Sequence, residues 1–362
     1  MPEAGGSRAA LSSRERLGFA VVAVAVIAAG VTHYTASGTV AFPFALVALI
    51  GVAWMVSFST EALGQHFGPA ATGVMQSTLG NLPEFFVVIF ALRDGQVEVA
   101  QTSLLGSILA NALLVLGLVI VVGAMRSGDG IMRFSPRLPN DTSTLLLSAV
   151  FLIVLLGVAA TAKGPWSGHE VPISAIGSVV LLIVYVTWLV PYLRSERSAE
   201  EAGAAPAQVP RLSLRACIAL LGVAGVGAAF VSDWFISALQ PTLKSLNLSQ
   251  AFAGLVIVAV AGNAAENATG LVLASKGDNE TAVSVVKNSV GQIAAFLFPA
   301  LVLVSLMFTH HLTFLMAPVY IAALALGALL VWQITGDGEA TLFEGVALIG
   351  AFVVLGSLTF YA

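Results

Sequence analysis

The sequence predicts an all-α polytopic membrane protein of about eleven transmembrane helices, arranged as two inverted five-helix repeats behind one extra N-terminal helix. Three observations carry this. Of 362 residues, 58% are apolar and only 9% charged, against about 25% charged in an ordinary soluble domain. The apolar residues fall in continuous runs, and about 20 such residues span a bilayer as a helix. A five-residue pattern at Gly80 recurs at Gly262, 182 residues on, each copy in the middle of an apolar run.

Composition excludes much at once. A mean hydropathy of +0.97 leaves no room for a water-soluble enzyme or for intrinsic disorder. The net charge of −4 suggests no polyanion, so no nucleic-acid partner is expected and the lipid bilayer is. The single cysteine, Cys217, forbids an internal disulfide and a cysteine-cluster metal site, and reads as packing.

The apolar runs lie at roughly 17–33, 40–59, 70–92, 98–125, 142–162, 172–193, 214–239, 250–274, 281–308, 312–335 and 340–361. They are continuous rather than alternating, which excludes a β-barrel. Residues 1–16 read as a cytoplasmic tail, 17–33 as the extra first helix and 40–193 as the first five-helix repeat. A polar linker follows at 194–211, and 212–362 form the second repeat. Arg14 and Arg16 ahead of a short apolar stretch also fit a signal peptide, whose cleavage would leave every later span oriented as before. With the N-terminus in the cytoplasm, Arg8, Arg14, Arg16, Arg126, Arg133, Arg137, Arg194, Arg197, Arg211, Arg215 and Lys276 lie inside. Only Arg93, Lys163 and Lys244 lie outside. Eleven against three is the positive-inside pattern, and it points to the inner or plasma membrane of a cell.

The repeated pattern is Gly-Asn-x-x-Glu: Gly80, Asn81, Glu84, then Gly262, Asn263, Glu266. The same offset carries Ser107 onto Ser289. Five spans per repeat is an odd number, so the two copies run in opposite directions through the bilayer. Such inverted repeats place a transporter's substrate near the midplane, where interrupted helices meet. Pro83 lacks an amide donor and is expected to break or kink the helix beside Glu84. Asn81 and Glu84, like Asn263 and Glu266, are three residues apart and are expected to share a helix face.

An ionised carboxylate at mid-membrane costs about 2.5–3.5 kcal/mol on insertion scales, so it must be protonated, paired or cation-bound. Ser107, Asn111, Ser289 and Gln292 add further oxygen in apolar surroundings. With no His or Cys among them, the set suits a hard cation. Ca²⁺ fits first, with Glu84 and Glu266 as its charged ligands; Mg²⁺, Mn²⁺ and Na⁺ come after. Asn111 also fits a plain interhelical hydrogen bond. Glu61, Asp233 and Glu344 near span ends read as interfacial caps or as groups assisting access and proton transfer. The five histidines read as solvated. No resident cofactor is expected. The sequence has no His-Glu-x-x-His, no Gly-x-Ser-x-Gly and no pair of intramembrane aspartates, so no enzyme is read from it.

These residues carry a family resemblance. The runs 80–117 and 262–299 closely resemble the two signature regions of the cation/proton exchangers, within the Ca²⁺/cation antiporter superfamily, in a prokaryotic form. The likeness reaches Ser59-Thr60-Glu61, Val231-Ser232-Asp233 and Phe343-Glu344-Gly345, and so covers essentially all of the chain after the first span. It implies a Ca²⁺/H⁺ antiporter with an inverted five-plus-five core. The family's cation- and proton-binding glutamates match Glu84 and Glu266; its flanking polar positions match Asn81, Asn263, Ser107, Ser289 and Gln292. The sequence departs from the pattern at four places. Asn267 stands for the usual His, Lys287 for a small residue, Asn288 for Gly, and Pro83 for a small or apolar residue. Lys287 reads either as snorkelling to the interface or as an ammonium approaching Glu266. Na⁺/Ca²⁺ or broader cation exchange stays open as an alternative, and a cation channel is a remoter one.

Coupling follows from charge. Ca²⁺ neutralises two ionised glutamates. Without it, burial and mutual repulsion make the ionised pair costly, so the pair takes up protons. Both loaded forms are near neutral and can cross between inward and outward states; the empty doubly charged form cannot.

Overall fold

The computed structural model describes residues 11–67, 75, 78–135, 137–161, 164, 166, 168–201 and 210–361. Arg8, Lys163, most of 70–77 at the start of the third apolar run, and 202–209 of the linker lie outside the described residues.

The elements run α1 (Ser13–Thr35), α2 (Gly38–Gly64), α3 (Leu82–Arg93), α4 (Val97–Arg126), β1 (Ile131–Arg133), α5 (Arg137–Thr161), α6 (Glu170–Glu201) and α7 (Leu214–Leu246). There follow α8 (Gln250–Gly262), α9 (Ala264–Lys276), α10 (Asn279–Ser305), α11 (Pro318–Thr335), β2 (Glu339–Thr341) and α12 (Leu342–Phe360). Among the described residues, nine helices are long and apolar enough to cross a membrane, and α8 with α9 makes one further crossing bent by 60°. The protein is therefore an all-α polytopic membrane protein. Its outer surface carries Val21, Ile27, Phe151, Ile183, Phe230, Leu326 and Val354 exposed, the inverse of a soluble surface and suited to lipid.

Several boundaries differ from the sequence reading. Helix α6 continues to Glu201, so residues 194–201 of the expected linker are helical; they are rich in Arg, Glu and Ala, good helix formers despite their polarity. Helix α7 runs to Leu246, past Pro241, and stops at Asn247 in the left-handed conformation, φ 54°. Helix α11 starts at Pro318 rather than near 312, since proline favours a first helical turn. In the non-helical segment before it Leu312 and Phe314 are buried, and side chains bond its backbone. Leu312 N–H donates to Ser305 Oγ at 2.9 Å, Phe314 N–H to Ser174 Oγ at 3.2 Å, and Gln101 Nε2 donates to Leu315 O at 2.9 Å.

Helices α4 and α10 occupy the centre, with Leu104, Leu105, Ile108, Val290 and Ile293 buried. Helix α4 crosses α8 with no spacer: a Cβ on Gly106 would lie 2.5 Å from Leu255 Cα. Helix α7 packs along α2 and α3, and α5 along α11. The extra helix α1 is peripheral, resting on α2 and α7, where Phe19 meets Trp54 at 5.2 Å and His33 stacks on Trp234 at 5.8 Å. Strands β1 and β2 pair antiparallel, Met132 opposite Ala340. Arg133 bridges Asp129 at 2.8 Å and Glu339 at 3.2 Å, and Arg126 Nη1 donates to Ser275 O at 2.9 Å. These contacts tie the ends of α4, α9 and α12 together on one face of the bundle.

Candidate cation site

The two copies of Gly-Asn-x-x-Glu fold alike. Asn81 (φ −87°, ψ 13°) and Asn263 (φ −100°, ψ 10°) both leave the helical conformation and stand immediately before a new helix, α3 and α9. Glu84 and Glu266 are each the third residue of that helix. The break therefore lies at the asparagine, not beside the glutamate. Pro83 sits in the first turn of α3, a place proline favours, and α9 starts the same way with alanines. The expectation that Asn and Glu share a helix face is corrected accordingly, because each asparagine lies just outside the helix. What the break supplies is two helix N-termini whose positive ends meet the carboxylates.

The polar side chains of both copies come together. Ser289 Oγ–H donates to Glu266 Oε2 at 2.6 Å. Asn111 Nδ2 donates to Ser289 Oγ at 3.0 Å and to Asn263 Oδ1 at 3.5 Å. Asn263 Nδ2 donates to Ser107 Oγ at 2.9 Å and to Ala259 O at 2.9 Å. This network joins α4, α8, α9 and α10, and Asn81, Asn263, Ser107, Asn111 and Ser289 are all buried. Asn111 and the residues after it form a π-helical turn, Ala110–Val115; a matching one, Ile293–Leu297, follows Gln292 in α10. Such turns shift side-chain register and recur at functional sites.

Glu84 is 2% exposed; neither of its carboxylate oxygens meets hydrogen-bond geometry with a partner, although the Ser107 hydroxyl is close enough to act on it. Asn111 Oδ1 is also buried and unpartnered. Glu84 and Glu266 interact electrostatically across the centre. A buried acceptor left unmatched costs about 1–3 kcal/mol, more when charged, and a proton or a cation at these oxygens would relieve that cost. Among the described residues no three His, Cys, Asp or Glu side chains cluster as a metal site. The available ligands are two carboxylates with amide and hydroxyl oxygens, a donor set for a hard cation.

Glu266, Ser289 and Gln292 line a cavity of about 100 Å³ with Ser57, Gly80 and Thr269. Thr269 is three residues beyond Glu266 toward the Lys276 end of α9, so the cavity reaches past Glu266 on that side. Thr269 and Ser57 were not read from the sequence. Thr269 had a usable signal in its spacing from Glu266; Ser57 had none.

The remaining singled-out residues lie elsewhere. Glu344 is a helix cap, its Oε2 accepting from Thr341 N at 2.7 Å and Thr341 Oγ1 at 2.9 Å. Asp233 pairs with Arg93 at 2.5 Å, while its neighbour Ser232 donates to Pro83 O at 3.4 Å. Glu61 lines a separate cavity of about 160 Å³ with Glu15 and Arg211. Lys287 is 3% exposed and does not reach an interface; Nζ donates to Ser143 Oγ and Thr335 Oγ1, both at 2.6 Å. His66 is not free in solvent either: Nε2 bonds Leu212 O at 2.8 Å.

The model of the sodium/calcium exchanger protein family matches residues 37–192 and 217–361, which takes in both motifs and every helix after α1. The chain belongs to that family. Within it, the chain is 31% identical to the vacuolar calcium ion transporter of Schizosaccharomyces pombe, over 87% of this chain and 78% of that protein. It is 28% identical to the Ca(2+)/H(+) antiporter ChaA of Bacillus subtilis, over 94% of this chain and 97% of that one. The solved structure of native YfkE matches with a TM-score of 0.81 at 27% identity, covering 95% of this chain and 100% of the other. Family membership thus rests on nearly the whole chain, in sequence and in fold.

Proposed function

We propose that this protein is a secondary active transporter that exchanges Ca²⁺ for H⁺ by alternating access, with Glu84 and Glu266 as the groups that hold either cation or protons. The observation that carries the reading is the pair of repeated glutamates: Glu84 is buried with no hydrogen bond to its oxygens, and Glu266 lines a cavity and accepts from Ser289 within a polar network that joins both halves. Asn81, Asn263, Ser107, Asn111, Ser289 and Gln292 orient the pair or lend it oxygen. The relatives named above as a Ca²⁺ transporter and a Ca²⁺/H⁺ antiporter support the choice of ion and counter-ion, and Na⁺-coupled exchange is not favoured.

The chemistry is one of charge balance. Ca²⁺ and two carboxylates sum to zero, as do two protons and two carboxylates. The empty dianion is too costly to carry across. With the face bearing Arg126, Arg133 and Lys276 taken as cytoplasmic on the positive-inside rule, the N-terminus is inside and the cavity lies on the cytoplasmic side of Glu266. With an inward proton gradient across the cell membrane, Ca²⁺ is exported.

Proton-driven ⁴⁵Ca²⁺ uptake into everted vesicles tests this. Glu84→Gln and Glu266→Gln should each lower uptake at least tenfold, since each removes a charge that only the cation-bound state uses. Wild-type uptake that ignores the pH gradient would remove the proton from the exchange. Because the ligands must lose protons to bind metal, half-saturating Ca²⁺ should fall as pH rises; a flat profile from pH 6 to 8.5 would contradict the shared site.

A further inference from the structure

We propose that Asn288 is a cation ligand in the access cavity, supplying a neutral amide oxygen beside Glu266. This rests on the exchange reading above and deepens it by adding a residue outside the repeated pattern. Helix α10 places Val285, Asn288, Ser289 and Gln292 on one face, and all four line the cavity that ends at Glu266. Asn288 Oδ1 is buried with no hydrogen-bond partner, the same condition as both Glu84 oxygens and Asn111 Oδ1. A buried amide oxygen on a residue that shares a cavity with a carboxylate lacks a positive partner, and a cation in that cavity is one.

The internal repeat sharpens the point. The counterpart of Asn288 in the first half is Gly106, which precedes Ser107 as Asn288 precedes Ser289. Gly106 is closed against Leu255, with no room for a side chain. Position 288 lines the cavity and carries an amide whose oxygen is buried without a partner. The two halves are thus unlike at this position: an amide lines the cavity in one, where the other has a glycine packed against backbone.

Charge explains why the group is an amide. Ca²⁺ takes 6–8 oxygens, and the two glutamates offer four at most. The remainder must be neutral, or the loaded site would no longer sum to zero. Asn288 adds an oxygen without adding charge.

The test is a series at this position in proteoliposomes, with ⁴⁵Ca²⁺ uptake under a pH gradient and Ca²⁺-dependent melting of the detergent-solubilised protein. Asn288→Gly should raise half-saturating Ca²⁺ about five- to tenfold, a larger change than in the limiting rate, and should shift the Ca²⁺ midpoint of the melting curve by a similar factor. Asn288→Leu, of similar size but without the oxygen, should behave as the glycine variant does. Asn288→Asp should lower half-saturating Ca²⁺ yet slow the limiting rate, because the loaded site then carries a net negative charge. Half-saturation within twofold of wild type in both the glycine and leucine variants overturns the proposal. So does a leucine variant that matches wild type while the glycine variant does not, which would make Asn288 a spacer. If wild type neither exchanges Ca²⁺ nor melts at a Ca²⁺-dependent temperature, the exchange reading fails and this proposal with it. If wild type does both and the variants follow it, only the role of Asn288 fails.

Discussion

Glu84 and Lys287 are both buried ionisable residues, and the structure treats them differently. Glu84 has carboxylate oxygens with no hydrogen bond, beside an electrostatically coupled second glutamate. Lys287 has two hydroxyls, Ser143 and Thr335, and no carboxylate among its hydrogen-bond partners. The first arrangement leaves two acceptors unmatched, as the proposed exchange requires; the second is a self-contained tie between α10, α5 and α11. A lysine so buried without a counter-charge costs stability, and Thr335 Oγ1–H already donates to Val331 O at 2.8 Å, so it does not depend on the lysine. Lys287→Met should therefore raise the melting temperature, by the equivalent of about 1 kcal/mol or more. Lys287→Ala should lower it by leaving a void. A methionine variant that melts below wild type would mean that the hydroxyl contacts outweigh the burial cost.

At the scale of elements, function depends on where helices stop and where they touch. The break at Asn263 turns one apolar run into a pair of half-helices, Asn81 stands in the same place before α3, and it is this break that gives each glutamate a helix N-terminus. The crossing of α4 and α8 depends on the absence of side chains, since a Cβ on Gly254 would also fall 2.9 Å from Ser103 N. Gly106→Ala should force α4 from α8 and lower stability by about 1–3 kcal/mol, with loss of uptake. Gly222→Ala in α7 meets no atom within 4 Å and should be neutral or gain up to about 1 kcal/mol. Melting curves of both variants in the same detergent check the contrast; equal behaviour would mean that the α4–α8 crossing is not the close contact described.

For the whole molecule, the matter is which side the site faces. The cavity at Glu266 includes Thr269, on the Lys276 side of the glutamate, whereas the Gly106–Leu255 contact closes the position in the other half that corresponds to Asn288. With Cys217 replaced by Ala, Thr269→Cys should react with a membrane-impermeant maleimide in everted vesicles and not in right-side-out ones. Ca²⁺ should slow the reaction by filling the cavity. Labelling confined to right-side-out vesicles would reverse the orientation drawn from the basic residues.

The sequence by itself determined the solvent, the repeat and the two glutamates. Those follow from composition, from continuous apolar runs and from the cost of a carboxylate in hydrocarbon, all of which are properties of the chain written out in a line. It could not locate the helix breaks, because Pro83 drew attention to one half while the asparagine present in both halves makes the turn. Nor could it sort the carboxylates near span ends: Glu344 caps a helix and Asp233 binds Arg93, and those roles depend on Thr341 and Arg93 being within reach. Tertiary structure alone decided that Asn111 and Ser107 bond partners more than 150 residues away, that Lys287 points to hydroxyls, and that one half lines a cavity at Asn288 where the other is shut at Gly106. The physical reason is the same in each case. Spacing along a helix assigns a face, but which neighbour that face meets, and whether space is left between them, is settled only when distant helices pack.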